Sequence, residues 1–104
     1  MLFISYWELN ENFDPSKMAE LGQKLMEKKL FPVEGVKLIG WYMSAGDMWG
    51  VTISEAENAE QIARGNNMWR IAHPGFFKFI KTTPALEVTK AIPIGLKLAK
   101  DIKG

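Results

Sequence analysis

The sequence predicts an α+β domain in which a four-stranded antiparallel sheet carries helices on one face and an extra helix follows at the C-terminus. Three observations carry that expectation. "GWYMSAGDMWGVTI", Gly40–Ile53, reads as strand, tight turn and strand. Segments with apolar residues at helical spacing stand before and after this hairpin. β-branched and aromatic stretches open the chain ("LFISYWEL") and follow the second helical segment ("GFFKFIKTT"). The order is β-α-β-β-α-β, the ferredoxin-like arrangement, in a single domain of residues 1–104.

Each element has its own signals. Leu2–Leu9 is bounded by "NENFDP" and forms the first strand. Asp14-Pro15 supplies an N-cap and a proline at the first helical position. Met18, Leu21, Gly22, Leu25 and Met26 then recur on one face, with Pro32 as the stop. The hairpin strands run from about Val36 to Ala45 and Met48 to Ser54, and glycine at Gly46 suggests a two-residue type II′ turn. Ser54 with Glu57 has capping-box spacing. The next helix carries Ala59, Ile62, Ala63, Asn66 and Trp69, and ends before His73-Pro74 because a residue preceding proline avoids the α region. After the fourth strand the chain is expected to stay extended to about Val88. Pro93 then opens a final helix with Ile94, Leu98 and Ile102 on one stripe and lysines opposite.

Composition narrows the function classes. The 104 residues are 47% hydrophobic and 24% charged, with formal net charge +1, so no polyelectrolyte partner is implied. Zero cysteines exclude disulfides and thiolate metal sites and suit a cytoplasmic protein. The apolar "MLFISYW" has no charged n-region before it and an acidic stretch after it, against a signal peptide. No apolar run is long enough to span a bilayer.

The hairpin is apolar or aromatic on both faces. With a two-residue turn, Ile39, Trp41, Met43, Ala45, Met48, Gly50 and Thr52 share one face, and Val36, Leu38, Tyr42, Trp49, Val51 and Ile53 the other. The second, more aliphatic set is expected under the helices. The face left open then holds about eight large apolar side chains, exposing on the order of 600–1,000 Å² against ~300–600 Å² for the largest patch of a typical monomer. A second copy packed sheet against sheet is the economical cover. The rival is the C-terminal helix folded back over that face.

The element order, length and two-sided apolar sheet resemble the dimeric α/β-barrel superfamily. More narrowly, "VKLIGWYMSAGDMWGVTISEAENAEQIARGNNMW" resembles a small uncharacterised domain-of-unknown-function family within it, and the resemblance runs over roughly residues 1–88. It implies a homodimer, and a chemistry as varied as cofactor-free oxygenation, isomerisation, haem degradation or none. Haem-degrading members use an asparagine on the first strand with a tryptophan and a histidine. Here that strand carries Ser5 and Tyr6 instead, which speaks against haem.

His73 is the single histidine and the candidate catalytic base. Its plainer role is a helix-end residue bonded to a carbonyl or to water. Tyr6 and Tyr42 are candidate hydroxyl donors, Trp7, Trp41, Trp49 and Trp69 candidate stacking surfaces, and Asn66 a candidate polar group beside Gly65. Packing explains the aromatics as readily. One histidine and no carboxylate cluster give no metal site, and no glycine-rich loop opens a helix to cradle phosphate. No cofactor is expected. An RNA-binding module shares the element order, but Asp47 and Met48 stand where its basic residue and first glycine belong, so no nucleic-acid partner is expected, nor a membrane. The leading function is binding or sensing a small apolar molecule. The alternatives are a cofactor-independent monooxygenase or isomerase with His73 as base, and a structural or interaction protein without ligand. A cavity containing His73 favours the enzyme, a cavity without titratable groups the binder, and a filled core the structural role.

Overall fold

The computed structural model describes residues 1–104. Its elements are β1 (Leu2–Leu9), α1 (Pro15–Glu27), β2 (Lys37–Met43), β3 (Trp49–Glu55), α2 (Ala59–Ala72), β4 (Phe77–Pro84) and α3 (Val88–Lys103). The four strands form one antiparallel sheet in the order β2-β3-β1-β4. This α+β architecture is compatible with a ferredoxin-like fold: β1 and β3 lie in the centre, α1 connects β1 to β2 past β3, and α2 connects β3 to β4 past β1.

The expected caps explain α1. Asp14 accepts hydrogen bonds from the Ser16 amide (2.9 Å) and hydroxyl (2.7 Å), and Pro15 opens the helix. The helix ends at Glu27, before Pro32, with Lys29 in the left-handed region at φ 58°. In α2 the cap is Asn58, whose side chain accepts from the Gln61 amide at 3.0 Å, while Gln61 Oε1 accepts from the Glu57 amide at 2.8 Å. Ser54 stays in β3, opposite Phe3 of β1. Strand pairing therefore overrides the Ser54–Glu57 capping signal.

The hairpin register follows the expected pairing from Met43↔Gly50 to Gly40↔Ile53, then slips by one residue at Ile39. The connection is five residues, Ser44–Met48. It is held by the Ser44 hydroxyl, which accepts from the Asp47 amide at 3.2 Å, and Gly46 is not at positive φ. The type II′ turn is thus corrected.

The two faces are also the reverse of the sequence expectation. Trp7 pairs with Gly50 and Ser5 with Thr52, so the helices cover Phe3, Ser5, Trp7 and Leu9 of β1 with the Trp41, Met43, Gly50 and Thr52 set. Ile4, Tyr6, Trp49, Val51 and Ile53 lie on the open side. The deciding contact is between Trp7 and Gly50: a Cβ at Gly50 would collide with the Trp7 ring and the Tyr42 carbonyl. The bulge at Ile39 turns Leu38 to the helix side despite its odd spacing from Trp41. A second bulge near Glu8/Leu9 brings Phe77 to the helix side with Ile80 and leaves Phe79 on the open one.

α3 begins at Val88 and encloses Pro93 instead of starting there. All its residues are exposed, so it does not cap the open face. It is roughly 24 Å long, in a molecule that measures 58 × 30 × 20 Å.

Candidate functional site

The body of the fold is hollow where its core belongs. Trp7, Leu9, Met18, Leu25, Trp69 and Phe76 form the buried cluster, yet no side chain is completely buried. Between the sheet and the two helices lies a cleft of about 380 Å³.

Its floor is the helix side of the sheet. The Trp7 indole lies over Gly50 and donates its N–H to the Thr52 hydroxyl at 2.9 Å, running along β3. Thr52, Ser5 and Thr82 are directly paired across β3, β1 and β4, with Trp41 opposite Thr52 on β2. The Ser5 and Thr82 hydroxyls are 2.8 Å apart, and Asn66 of α2 donates from Nδ2 to Thr82 Oγ1 at 3.0 Å. An uncharged polar row thus crosses an otherwise apolar surface.

Aromatic rings form one wall. Trp69, on the last turn of α2, stacks on Phe76 (centroids 5.1 Å apart, 22° between planes) and meets Phe31 edge-on at 5.2 Å. Trp41 lies 5.0 Å from Phe31 and 6.2 Å from Trp69. Glycines keep the helices open here: a Cβ at Gly65 would meet only Val33, at 3.7 Å, and one at Gly22 only Trp69, at 3.8 Å.

The cleft brings together Trp41, Asn66 and Trp69 among the residues singled out from sequence. Tyr42 borders it from β2, but its ring lies where a Cβ of Gly40 would project, on the open face, and is largely exposed. Tyr6 lies on the open face near Trp49 and Phe79 and donates to Glu8 Oε2 at 3.1 Å. Desolvation by its neighbours, then the Glu8 bond and charge, holds its phenol above the ordinary tyrosine range. His73 caps α2 outside the cleft. Its ring packs on Phe13 at 3.8 Å, with Nδ1 3.2 Å from the Pro74 carbonyl. The proline before Phe76 and the helix end fix that position.

Trp7, a candidate stacking residue from sequence, lines the cleft as well, whereas Thr52, Ser5, Ser54 and Phe31 were not singled out from sequence. The available signal was the alternation in "FISYW", which places Ser5 and Trp7 on one face, together with a glycine two residues before Thr52.

No Asp, Glu, Lys, Arg or His side chain lines the cleft, and no three His, Cys, Asp or Glu residues converge where a metal ion could be held. The arrangement can exclude water, offer aromatic surface and hydrogen-bond an uncharged group. Residues 1–99 match the family described as Domain of unknown function (DUF3303). The chain belongs to the DUF3303 family. No curated protein matches it. In this DUF3303 chain the matched region takes in every strand, α1, α2 and most of α3, and so every wall of the cleft. No helix is long and apolar enough to cross a membrane.

Proposed function

We propose that this DUF3303 protein binds or senses a small, largely apolar molecule in the cleft between its sheet and α1/α2. One observation carries the reading: a cavity of about 380 Å³ is lined by tryptophan, phenylalanine, methionine and aliphatic side chains, and by no charged group. Small-molecule sites are typically concave, mostly apolar and of this size. A filled core would have favoured a purely structural role. The alternative with His73 as base draws no support from the geometry, because that ring packs on Phe13 outside the cleft. Native mass spectrometry of the purified protein tests the proposal. A retained small mass, lost when Gly65→Leu fills the cleft, supports it. Protein that stays bare in the presence of excess naphthalene sinks it.

The working form we propose is a homodimer packed through the open sheet faces. Ile4, Tyr6, Trp49 and Phe79 are each more than a third exposed there, on central strands and β4. Glu8, Glu55, Lys37 and Lys81 flank them on the same face, a balanced set that does not set a second copy against the first. Sedimentation equilibrium checks this: the parent protein runs as a dimer, and Phe79→Asp as a folded monomer. A parent that is monomeric at high micromolar concentration removes the dimer.

A further inference from the structure

The polar row on the cleft floor is only partly used by the protein itself. Thr52 Oγ1 accepts from Trp7 and keeps its own O–H to donate. The Ser5–Thr82 contact uses one hydroxyl hydrogen of two, whichever residue donates. Asn66 employs one amide hydrogen on Thr82 and leaves its carbonyl oxygen as an acceptor. Ser54 is 4% exposed and lines the cleft, and its hydroxyl has no hydrogen-bond partner in the chain. Since no sealed-in polar side-chain atom lacks a partner, that hydroxyl keeps accessible surface, on a residue that lines the cleft. Thr52 and Ser54 are next neighbours on the same face of β3, so their Cα atoms stand roughly 7 Å apart, and hydroxyls that lean toward each other come within the roughly 5.5 Å that one oxygen atom bridges by two hydrogen bonds. Thr52 and Ser54 thus each keep an unspent O–H for a ligand oxygen, and lone pairs to accept from a ligand hydroxyl. With no cation to pair a carboxylate and no carboxylate to pair an amine, burying an ionised ligand here would carry its full desolvation cost.

The geometry points to a specific ligand class: a neutral ring compound bearing a hydroxyl or carbonyl oxygen, with that oxygen received by Ser54 and Thr52 and the ring set against Trp7, Trp41 and Trp69. This rests on the binding reading above and adds its selectivity. The aromatic walls accept the ring without regard to its substituents, whereas unspent hydroxyls reward a ligand that completes them. A site with polar groups waiting rejects the analogue that leaves them unpaired.

Isothermal titration calorimetry with naphthalene, 2-naphthol and 2-naphthoate at neutral pH separates the two readings. The parent protein binds 2-naphthol about threefold to tenfold more tightly than naphthalene, the worth of one net hydrogen bond, and binds 2-naphthoate more weakly than 2-naphthol. Ser54→Ala removes a hydroxyl that no protein group uses, so it lowers the ratio of 2-naphthol to naphthalene affinity while the thermal midpoint holds. Thr52→Val is the second variant; it also takes the acceptor from the Trp7 N–H, so it is read by the ratio of 2-naphthol to naphthalene affinity, which falls likewise. Equal affinity for naphthalene and 2-naphthol overturns the assignment while leaving apolar binding standing. So does a preference that survives both substitutions, or 2-naphthoate bound as tightly as 2-naphthol. Failure of naphthalene itself to bind overturns the binding reading, and this one with it.

Discussion

The two faces of this sheet are similarly rich in aromatic and aliphatic residues, yet they are built differently. On the helix side, rings are fixed: Trp7 is pinned over Gly50 by its bond to Thr52, and Trp69 is held between Phe76 and Phe31. Polar groups there are uncharged and bond mainly to one another. On the open side the rings of Tyr6, Trp49 and Phe79, with centroids 5.9–6.1 Å apart, remain more than a third exposed and alternate with charged residues. Apolar content alone therefore does not distinguish a binding cleft from a contact surface. What distinguishes them is whether the rings are locked by neighbours above the sheet and whether the polar atoms carry charge.

Substitutions on the two faces should separate accordingly. Trp69→Ala removes the ring that joins α2 to the cleft wall and should cost about 3–5 kcal/mol, read by urea unfolding. A loss comparable to that of an exposed ring would break the contrast. Gly50→Ala should follow at about 1–3 kcal/mol, because the added methyl has no room beside Trp7 and the Tyr42 backbone. Gly40→Ala on the opposite face should cost clearly less: its methyl meets the exposed Tyr42 ring, which can swing into solvent. Equal losses for the two glycines would mean that the Trp7 contact is not what fixes the faces.

Gly65→Ala should stabilise by about 0.5–1 kcal/mol through helix propensity, since its methyl meets only Val33 at ordinary contact distance. A loss would show that α2 is packed more tightly than the hollow cleft implies. The smallest effect concerns Asp14, away from both faces. Its carboxyl lies below the ordinary aspartate range, chiefly through the Ser16 hydroxyl and then the Ser16 amide. A depressed folded-state pKa contributes stability above the unfolded value and loses it as pH falls through the folded one. Thermal midpoints of the parent and Asp14→Ala should thus differ slightly at neutral pH and converge in acid. A gap that persists at low pH would assign the cap's role to something other than the carboxylate.

Local signals were legible wherever the controlling atoms lie within a few residues. Asp14-Pro15 marks the start of α1, His73-Pro74 the end of α2, and the Gly40–Met43 pairing follows from the hairpin itself. Bulges were not legible. The extra residue at Ile39 or near Lys78 is set by how β2 and β4 close on their neighbours, and each reverses the side on which every later residue points. The capping signal shows the same limit: Ser54–Glu57 and Asn58–Gln61 both fit the pattern, and pairing of Ser54 with Phe3 selects the second. Of the candidate site, Trp41, Asn66 and Trp69 were found because aromatic and amide groups stand out in a helical or strand pattern. The hydroxyls of Ser5, Thr52, Ser54 and Thr82 were not, because only strand pairing aligns residues so far apart in the chain.

Sequence by itself determined the element order, the α+β class, the Asp14 cap of α1, the excess of apolar side chains over what one core needs, and membership of the DUF3303 family. Tertiary structure alone decided which sheet face the helices cover, that the covered side is hollow, and that His73 stands apart while Asn66 meets Thr82. The physical reason is range. Backbone propensity and capping act over three or four residues, whereas a face is chosen by one long-distance steric fit, Trp7 against Gly50, and a cavity by the volume that packed side chains fail to fill.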